Sequence, residues 1–280
     1  MILLLKLVLA PALVVASTLA GRRWGPSVAG TLVVLPIVAG PILFIAHLEH
    51  GREFTADAAS ASLLGLVSLA LFLVVFQASA RRFAGSRIAP AWACALLIGW
   101  ASCLAADAVL AVREIPALLA LCGAVSATAW ATRISAHGRS PGGGRPRRGA
   151  APASSPALVP PWWDLPARGV VTGLLVLAVT GGAARLGPEL TGVLAPFPIA
   201  TSVVAVFALA QGGSVAAEAT VAGVLRGLWG FIAFCFLVAV LVVPLGGAAA
   251  FGIAAIASLA TQPAARLISA LGRRSPAMRA

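Results

Sequence analysis

Arg226 stands midway along the apolar stretch TVAGVLRGLWG, Glu218 lies two turns before it, and Asp107 interrupts another apolar run upstream. An unpaired guanidinium in hydrocarbon is costly, so Arg226 must face protein, water or an anion, and Glu218 or Asp107 can pair with it. Such groups often mark substrate or proton paths in membrane proteins, with a structural ion pair as the alternative. Four prolines add a second kind of chemistry. Pro36, Pro41, Pro196 and Pro198 each fall within an apolar run, where a proline removes a backbone hydrogen bond and leaves carbonyls that hydrocarbon cannot satisfy. Broken backbone of this kind is tolerated where it is covered by protein or lines a cavity, and then it can bind a solute. The alternative is that the prolines only kink helices for packing.

Other candidates are weaker. His47 and His50, with Glu49 or Glu53, have a spacing that can hold a metal ion in the stretch HLEHGREFTAD. The chain's second version of that stretch, LAQGGSVAAEA, has no histidine, and the preferred reading is a solvated loop with no metal. Asp57 and Glu218 occupy nearly matching places, as gate carboxylates or as acids that complement helix N-termini. Cys94, Cys103, Cys122 and Cys235 sit in apolar runs without metal or disulfide spacing and read as packing residues. No phosphate loop, paired nucleophile and base, or Glu-x-x-His motif is present. Neither catalytic residues nor a cofactor are expected.

The elements that position these groups follow from composition. Of the 280 residues 60% are apolar and 10% charged, whereas soluble domains carry about 25% charged residues. The fold class is therefore all-α, a polytopic integral membrane protein. The net charge of +12 comes from arginines dispersed in short breaks, without the aromatic-interleaved basic face that nucleic acid would need. A span needs about 20 apolar residues, which places nine: 2–20, 26–48, 57–77, 90–112, 116–134, 167–186, 188–211, 215–237 and 238–260. The N-terminal run lacks a basic n-region and reads as a span rather than a cleaved signal.

Arginines concentrate after the first, third and fifth spans, at Arg22, Arg23, Arg81, Arg82, Arg87 and the stretch 133–148. The positive-inside rule then puts the N-terminus outside and the C-terminal tail, with Arg266, Arg273, Arg274 and Arg279, in the cytoplasm of an inner-membrane protein. The Gly/Pro/Ser/Arg-rich segment 136–165 reads as a disordered cytoplasmic linker. Trp162 and Trp163 at its end are interfacial anchors.

The chain also repeats itself. GPSVAGTLVVLPI at 25–37 returns as GPELTGVLAPFPI at 187–199, a shift of 162 residues. Over 23–66 the shift gives 12 identities in 44 positions, where roughly one in ten is expected by chance. They include Gly25/Gly187, Pro26/Pro188, Pro36/Pro198 and Gly51/Gly213, positions where backbone geometry is restricted. Spans one to four (1–112) thus correspond to spans six to nine (166–265), with the fifth (113–135) unpaired and 266–280 a basic tail. An odd number of spans separates each pair, so the repeat is inverted, an architecture recurrent among secondary transporters. The pairs Gly169/Gly173 and Gly223/Gly227 permit close helix contacts.

In the stretch GTLVVLPIVAGPILFIAHLEHG the chain resembles GlpM-like small bacterial membrane proteins, which carry a Gly-x-x-x-x-x-Pro apolar span, an IAH-like segment and a Gly-containing loop. The likeness covers 30–75 and, more faintly, its counterpart; it implies a duplicated unit and little chemistry. The overall plan is similar to that of drug/metabolite transporters in architecture only, with none of their diagnostic motifs.

The expectation is an inner-membrane secondary transporter, an exporter or permease for a small metabolite or ion. Its site would lie between spans two and seven, with Arg226, Glu218, Asp107 and Gln211 as polar groups and broken backbone at Pro36 and Pro198. Its partners would be the solute and the bilayer, and no nucleic acid; a homo-oligomer or a membrane partner protein is open. The rivals are a non-transporting membrane subunit or assembly scaffold, and a lipid-handling protein.

Overall fold

The computed structural model of the chain describes residues 2–36, 39–83, 90–111, 117–137, 162–186 and 198–271. Pro188 and Pro196, most of the linker and the end of the basic tail lie outside the described residues. The described residues form eight helices and no strand: α1 (Ile2–Trp24), α2 (Pro26–Val34), α3 (Ala39–Arg82), α4 (Ala91–Ala111), α5 (Ala117–His137), α6 (Asp164–Leu186), α7 (Ile199–Leu245) and α8 (Gly247–Leu271). Among them, the segments His47–Arg82, Ala91–Val109, Leu118–Ser135 and Ile199–Leu245 are long and apolar enough to cross a membrane.

Each change of direction has a local cause. Gly25 (φ 99°) separates α1 from α2, and Pro26 at the first helical position loses no useful N–H. α2 stops at Val34 because Leu35 precedes Pro36 and is extended (φ −56°, ψ 147°), as pre-proline sterics require. The Gly40 N–H then bonds the Pro36 carbonyl at 2.9 Å, and the Ser202 N–H bonds the Pro198 carbonyl at 2.8 Å where α7 begins. Pro41 falls in the first turn of α3 and so breaks nothing.

Two long helices are kinked, each at one glycine: α3 at Gly51 (φ 86°, ψ −172°) and α7 at Gly213 (φ 65°, ψ −165°). Both lie in a region that is essentially open only to glycine. HLEHGREFTAD is accordingly not a loop. It is helix on either side of Gly51, with exposed Glu49, Glu53 and Asp57, because charged side chains outside the hydrocarbon do not oppose helix formation. A second correction concerns the last boundary, expected at 237/238. α7 runs to Leu245 and turns at Gly246 (φ 81°) just after Pro244; hydropathy alone is continuous there.

The core is built on α3 and α7. Leu63, Phe72, Leu73 and Phe76 of α3 and Val221, Val224, Leu225 and Leu228 of α7 are fully buried. α3 and α7 run antiparallel beyond their kinks, since Arg52 reaches the Val243 carbonyl while Arg81 pairs with Glu218. α1 and α6 are also antiparallel: Arg22 reaches Asp164, and Val15 lies against Gly169. Each of these two helices has 23 residues, and they start and stop 162 positions apart. α4 joins the core through Phe72 against Gly99 and a 2.9 Å bond from Trp100 Nε1 to Ser202 Oγ. α5 joins through the Ser135 hydroxyl, which donates to Gln77 Oε1 at 2.8 Å. α8 packs through Phe251 against Phe44 and Phe234.

A side chain at either kink is strained whatever space surrounds it. Gly51→Ala and Gly213→Ala are each expected to lower stability by about 1–3 kcal/mol, read as the unfolding midpoint of the detergent-solubilised protein. Gly252, which is helical and has open space beside it, is the control: Gly252→Ala is expected to be neutral or stabilising by up to about 1 kcal/mol.

Candidate functional site

The first half meets the second where α2 crosses α7, and the contact is made by glycines. A Cβ on Gly30 would collide with the Thr220 carbonyl, one on Gly223 with the Ser27 carbonyl, and one on Gly227 would lie 2.8 Å from the Thr31 carbonyl oxygen. Small residues let backbones come this near in a membrane, where dispersion and polar contacts replace the hydrophobic drive. The Thr31 hydroxyl uses the proximity, lying 3.0 Å from both the Ser27 carbonyl on its own helix and the Gly223 carbonyl on the other. The Gly223/Gly227 spacing noticed in the sequence therefore operates, with Gly30 as a third member.

This crossing sets the environment of Arg226. Its guanidinium donates to Ser27 Oγ at the start of α2, and its Nε donates to the Ala222 carbonyl at 3.1 Å. A side chain on a helix leans toward the N-terminus, so the charge is carried from mid-helix toward the Ser27 end. Val34 lies beside Gly227, and Gly40 beside Phe234. The helix interruption at Leu35–Pro36 is thus level with the middle of α7 beyond its kink.

The other expected site residues are placed separately. Glu218 pairs with Arg81 of α3 at 2.9 Å, both side chains being a quarter to a third exposed. Asp107 is buried on α4, where the Cys103 thiol donates to it at 3.6 Å and Ser68 of α3 lies beside it. Gln211 belongs to a cluster that the sequence reading did not assemble. Asp164, with a fully buried side chain, receives Arg22 of α1 at 2.6 Å, Arg168 of its own helix at 3.0 Å, and the Gln211 amide of α7. Arg168 also donates to Gln211 Oε1 at 3.1 Å and lies 4.5 Å from the centre of the Phe207 ring. Asp164 and Arg168 stand four apart at a helix start, a readable pairing signal; nothing in the spacing pointed to Arg22 or Gln211.

The two histidines do not converge. His47 lies against Gly247 and beside the rings of Phe44 and Phe251, and His50 stacks on Phe54. No group of three potential metal ligands occurs among the described residues. No protein-family model, curated protein or solved structure matches the chain. The site is therefore argued from its own geometry.

Magnitudes separate the two ion-pair sites. A surface-like pair such as Arg81–Glu218 contributes about 0–1 kcal/mol, while removing one member of a buried pair costs about 3–5 kcal/mol because the partner charge is stranded. Asp164 precedes the apolar run 167–186. Burial by itself would raise its carboxyl, but hydrogen bonds from Gln211 and Arg22 and the charge of Arg168 outweigh burial and hold it below the ordinary carboxylate value. A depressed value contributes stability at neutral pH that is lost as pH falls below the ordinary carboxylate range. Asp164→Asn is expected to lower stability by about 3–5 kcal/mol at neutral pH. The gap from the unmutated protein is expected to narrow below about pH 4; unfolding midpoints of both proteins across pH 3–7 check this.

Proposed function

We propose that the chain is a secondary transporter of a small metabolite or ion, built as nine spans in an inverted repeat and working by alternating access in a bacterial-type inner membrane. Its N-terminus is outside and its C-terminus cytoplasmic. The observation that carries the reading is a matched pair of backbone features, a proline whose carbonyl accepts the first bond of the next helix and a glycine at which a long helix kinks. Pro36 and Pro198, and then Gly51 and Gly213, lie 162 residues apart, with the same local backbone device at each member of a pair. The antiparallel pairings of α1 with α6 and of α3 with α7 support the inverted relation. Two like halves of opposite direction can exchange arrangements about a common centre, and interrupted helices at that centre are where transporters of this plan hold their solutes.

On this reading the solute site lies along the crossing of α2 and α7. Arg226 supplies charge beside Ser27 at the start of α2, and the interrupted backbone at Leu35–Pro36, at the far end of α2, supplies hydrogen-bonding groups. Contacts that did not enter the derivation of this topology support it. Arg22 and Arg81, put on the inner side by charge, and Asp164, Gln211 and Glu218, put there by the order of the spans, gather at one end of the bundle. The resemblance to GlpM-like proteins is consistent with a duplicated unit and adds no substrate class.

Binding to the folded state raises apparent stability by mass action, by about 2.7 kcal/mol at one hundred times the Kd. The purified protein is expected to be stabilised by at least one class in a screen of metabolites, ions and lipids at two pH values, and Arg226→Leu is expected to abolish that gain. A blank screen with a co-purifying protein would move the assignment to a membrane subunit. Stabilisation by lipids alone would move it to lipid handling.

A further inference from the structure

Two ion pairs join α1 and α3 of the first part of the chain to α6 and α7 of the second: Arg22 with Asp164 at the start of α6, where the linker expected over 136–165 is already helix, and Arg81 with Glu218. Both lie at the same end of the bundle. Arg22 follows Gly21, whose carbonyl receives the Gly25 N–H, and Gly25 leads through Pro26 to Ser27, which lies against Gly223 and Arg226 of α7. Glu218 is one to two turns before these residues on α7. At the opposite end, the polar link between the two parts is weaker. Arg52 reaches the Val243 carbonyl at 3.3 Å in an exposed position, and no ion pair joins the parts there among the described residues.

The 162-residue correspondence sharpens the contrast. It carries Arg22 and Asp164 onto Ala184 and Ile2, and Arg81 and Glu218 onto Val243 and Ala56. The positions that bear both ion pairs at one end are apolar at the other. The repeated framework therefore does not require ion pairs at these places, and among the described residues the pairs between the two parts lie at one end only.

We propose that Arg22–Asp164 and Arg81–Glu218 form a two-part latch that holds the halves together at the end where α2 begins, so that this conformation is shut there. The latch rests on the alternating-access reading, for which it is a gate. It uses pairs that can be broken at little cost: Arg81–Glu218 is partly exposed, and Asp164 keeps Arg168 and Gln211 when Arg22 leaves. A gate has to be weak enough to open, and pairs of this kind shift a two-state balance modestly.

The test is thiol labelling of the full chain in opened membranes by a water-soluble maleimide, which needs no solute. In a background carrying Cys94→Ala, Cys103→Ala, Cys122→Ala and Cys235→Ala, one reporter is Thr220→Cys, at a residue 1% exposed beneath Gly30 of α2. The second reporter, Val242→Cys, replaces a fully buried residue at the opposite end. Arg22→Gln with Glu218→Gln is expected to label at position 220 about ten-fold faster, with no acceleration at 242. The exchange Arg81→Glu with Glu218→Arg is expected to restore the slow rate in the presence of intact Arg22. An unchanged rate at 220 overturns the latch, as does equal acceleration at both ends, which would mean general loosening, or a failure of the exchange to restore the rate. Should the double variant not fold, Glu218→Gln alone decides, with an expected two- to five-fold acceleration at 220. A positive solute screen with unchanged labelling removes the latch and leaves transport standing. Accelerated labelling with a blank screen removes transport and leaves a movable joint between halves.

Discussion

α2 lies on α7 with peptide against peptide, and much of the remaining arrangement is a consequence of that crossing. At Gly30, Gly223 and Gly227 no side chain could stand between the two helices, because a Cβ at the first two would overlap a carbonyl of the neighbour. In a bilayer this closeness replaces the hydrophobic drive that would join such surfaces in water. The crossing brings Ser27 within reach of Arg226, puts the end of α2 level with the middle of α7, and seats the first part of the chain on the second. A larger residue at any of these glycines would separate all three relations at once.

A chain in hydrocarbon can turn only where its backbone groups remain satisfied, and the described residues turn at very few kinds of place. Positive φ is found at Gly25, Gly51, Gly213 and Gly246 and at no other described residue. Polar side chains inside the helices are handled in the same economical way: the hydroxyls of Thr18, Ser60, Ser62, Thr172 and Thr220 return to carbonyls four residues back on their own helices. Other polar side chains bond between helices and hold parts of the chain that are distant in sequence, as at Ser135–Gln77 and Trp100–Ser202.

The sequence disclosed the backbone devices better than the side-chain clusters, for a physical reason. A glycine that must take positive φ or a proline that ends a helix is a local requirement, so Gly51, Gly213, Pro36 and Pro198 were visible as repeated letters. Gly223 and Gly227 were visible through their spacing on one face. The cluster around Asp164 was not, because Arg22, Asp164 and Gln211 belong to three helices that are distant in sequence, and only tertiary packing brings them together. Arg81 reads from its position after a span as a topology charge, and nothing in that position points to Glu218. The turn at Gly246 has unbroken hydropathy on both sides, and the helices on either side of Gly51 in 47–57 carry charged residues without an apolar period, so neither is marked in the sequence.

What the two parts share is backbone geometry, and what they do not share is charge. Arg226 answers to Leu64, Asp164 to Ile2, Glu218 to Ala56, Arg22 to Ala184 and Arg81 to Val243. If charge were needed to hold the framework, the apolar members of these pairs would leave their own part unstable, yet α1 and α6 have the same length, and α3 and α7 the same kink. Buried ion pairs are in any case poor sources of stability compared with apolar residues of similar size, since desolvation offsets much of their attraction. A chain that has an apolar solution at one end and an ionic one at the other has departed from the cheaper choice at one end only. The latch proposed for the Arg22–Asp164 and Arg81–Glu218 end accounts for that departure.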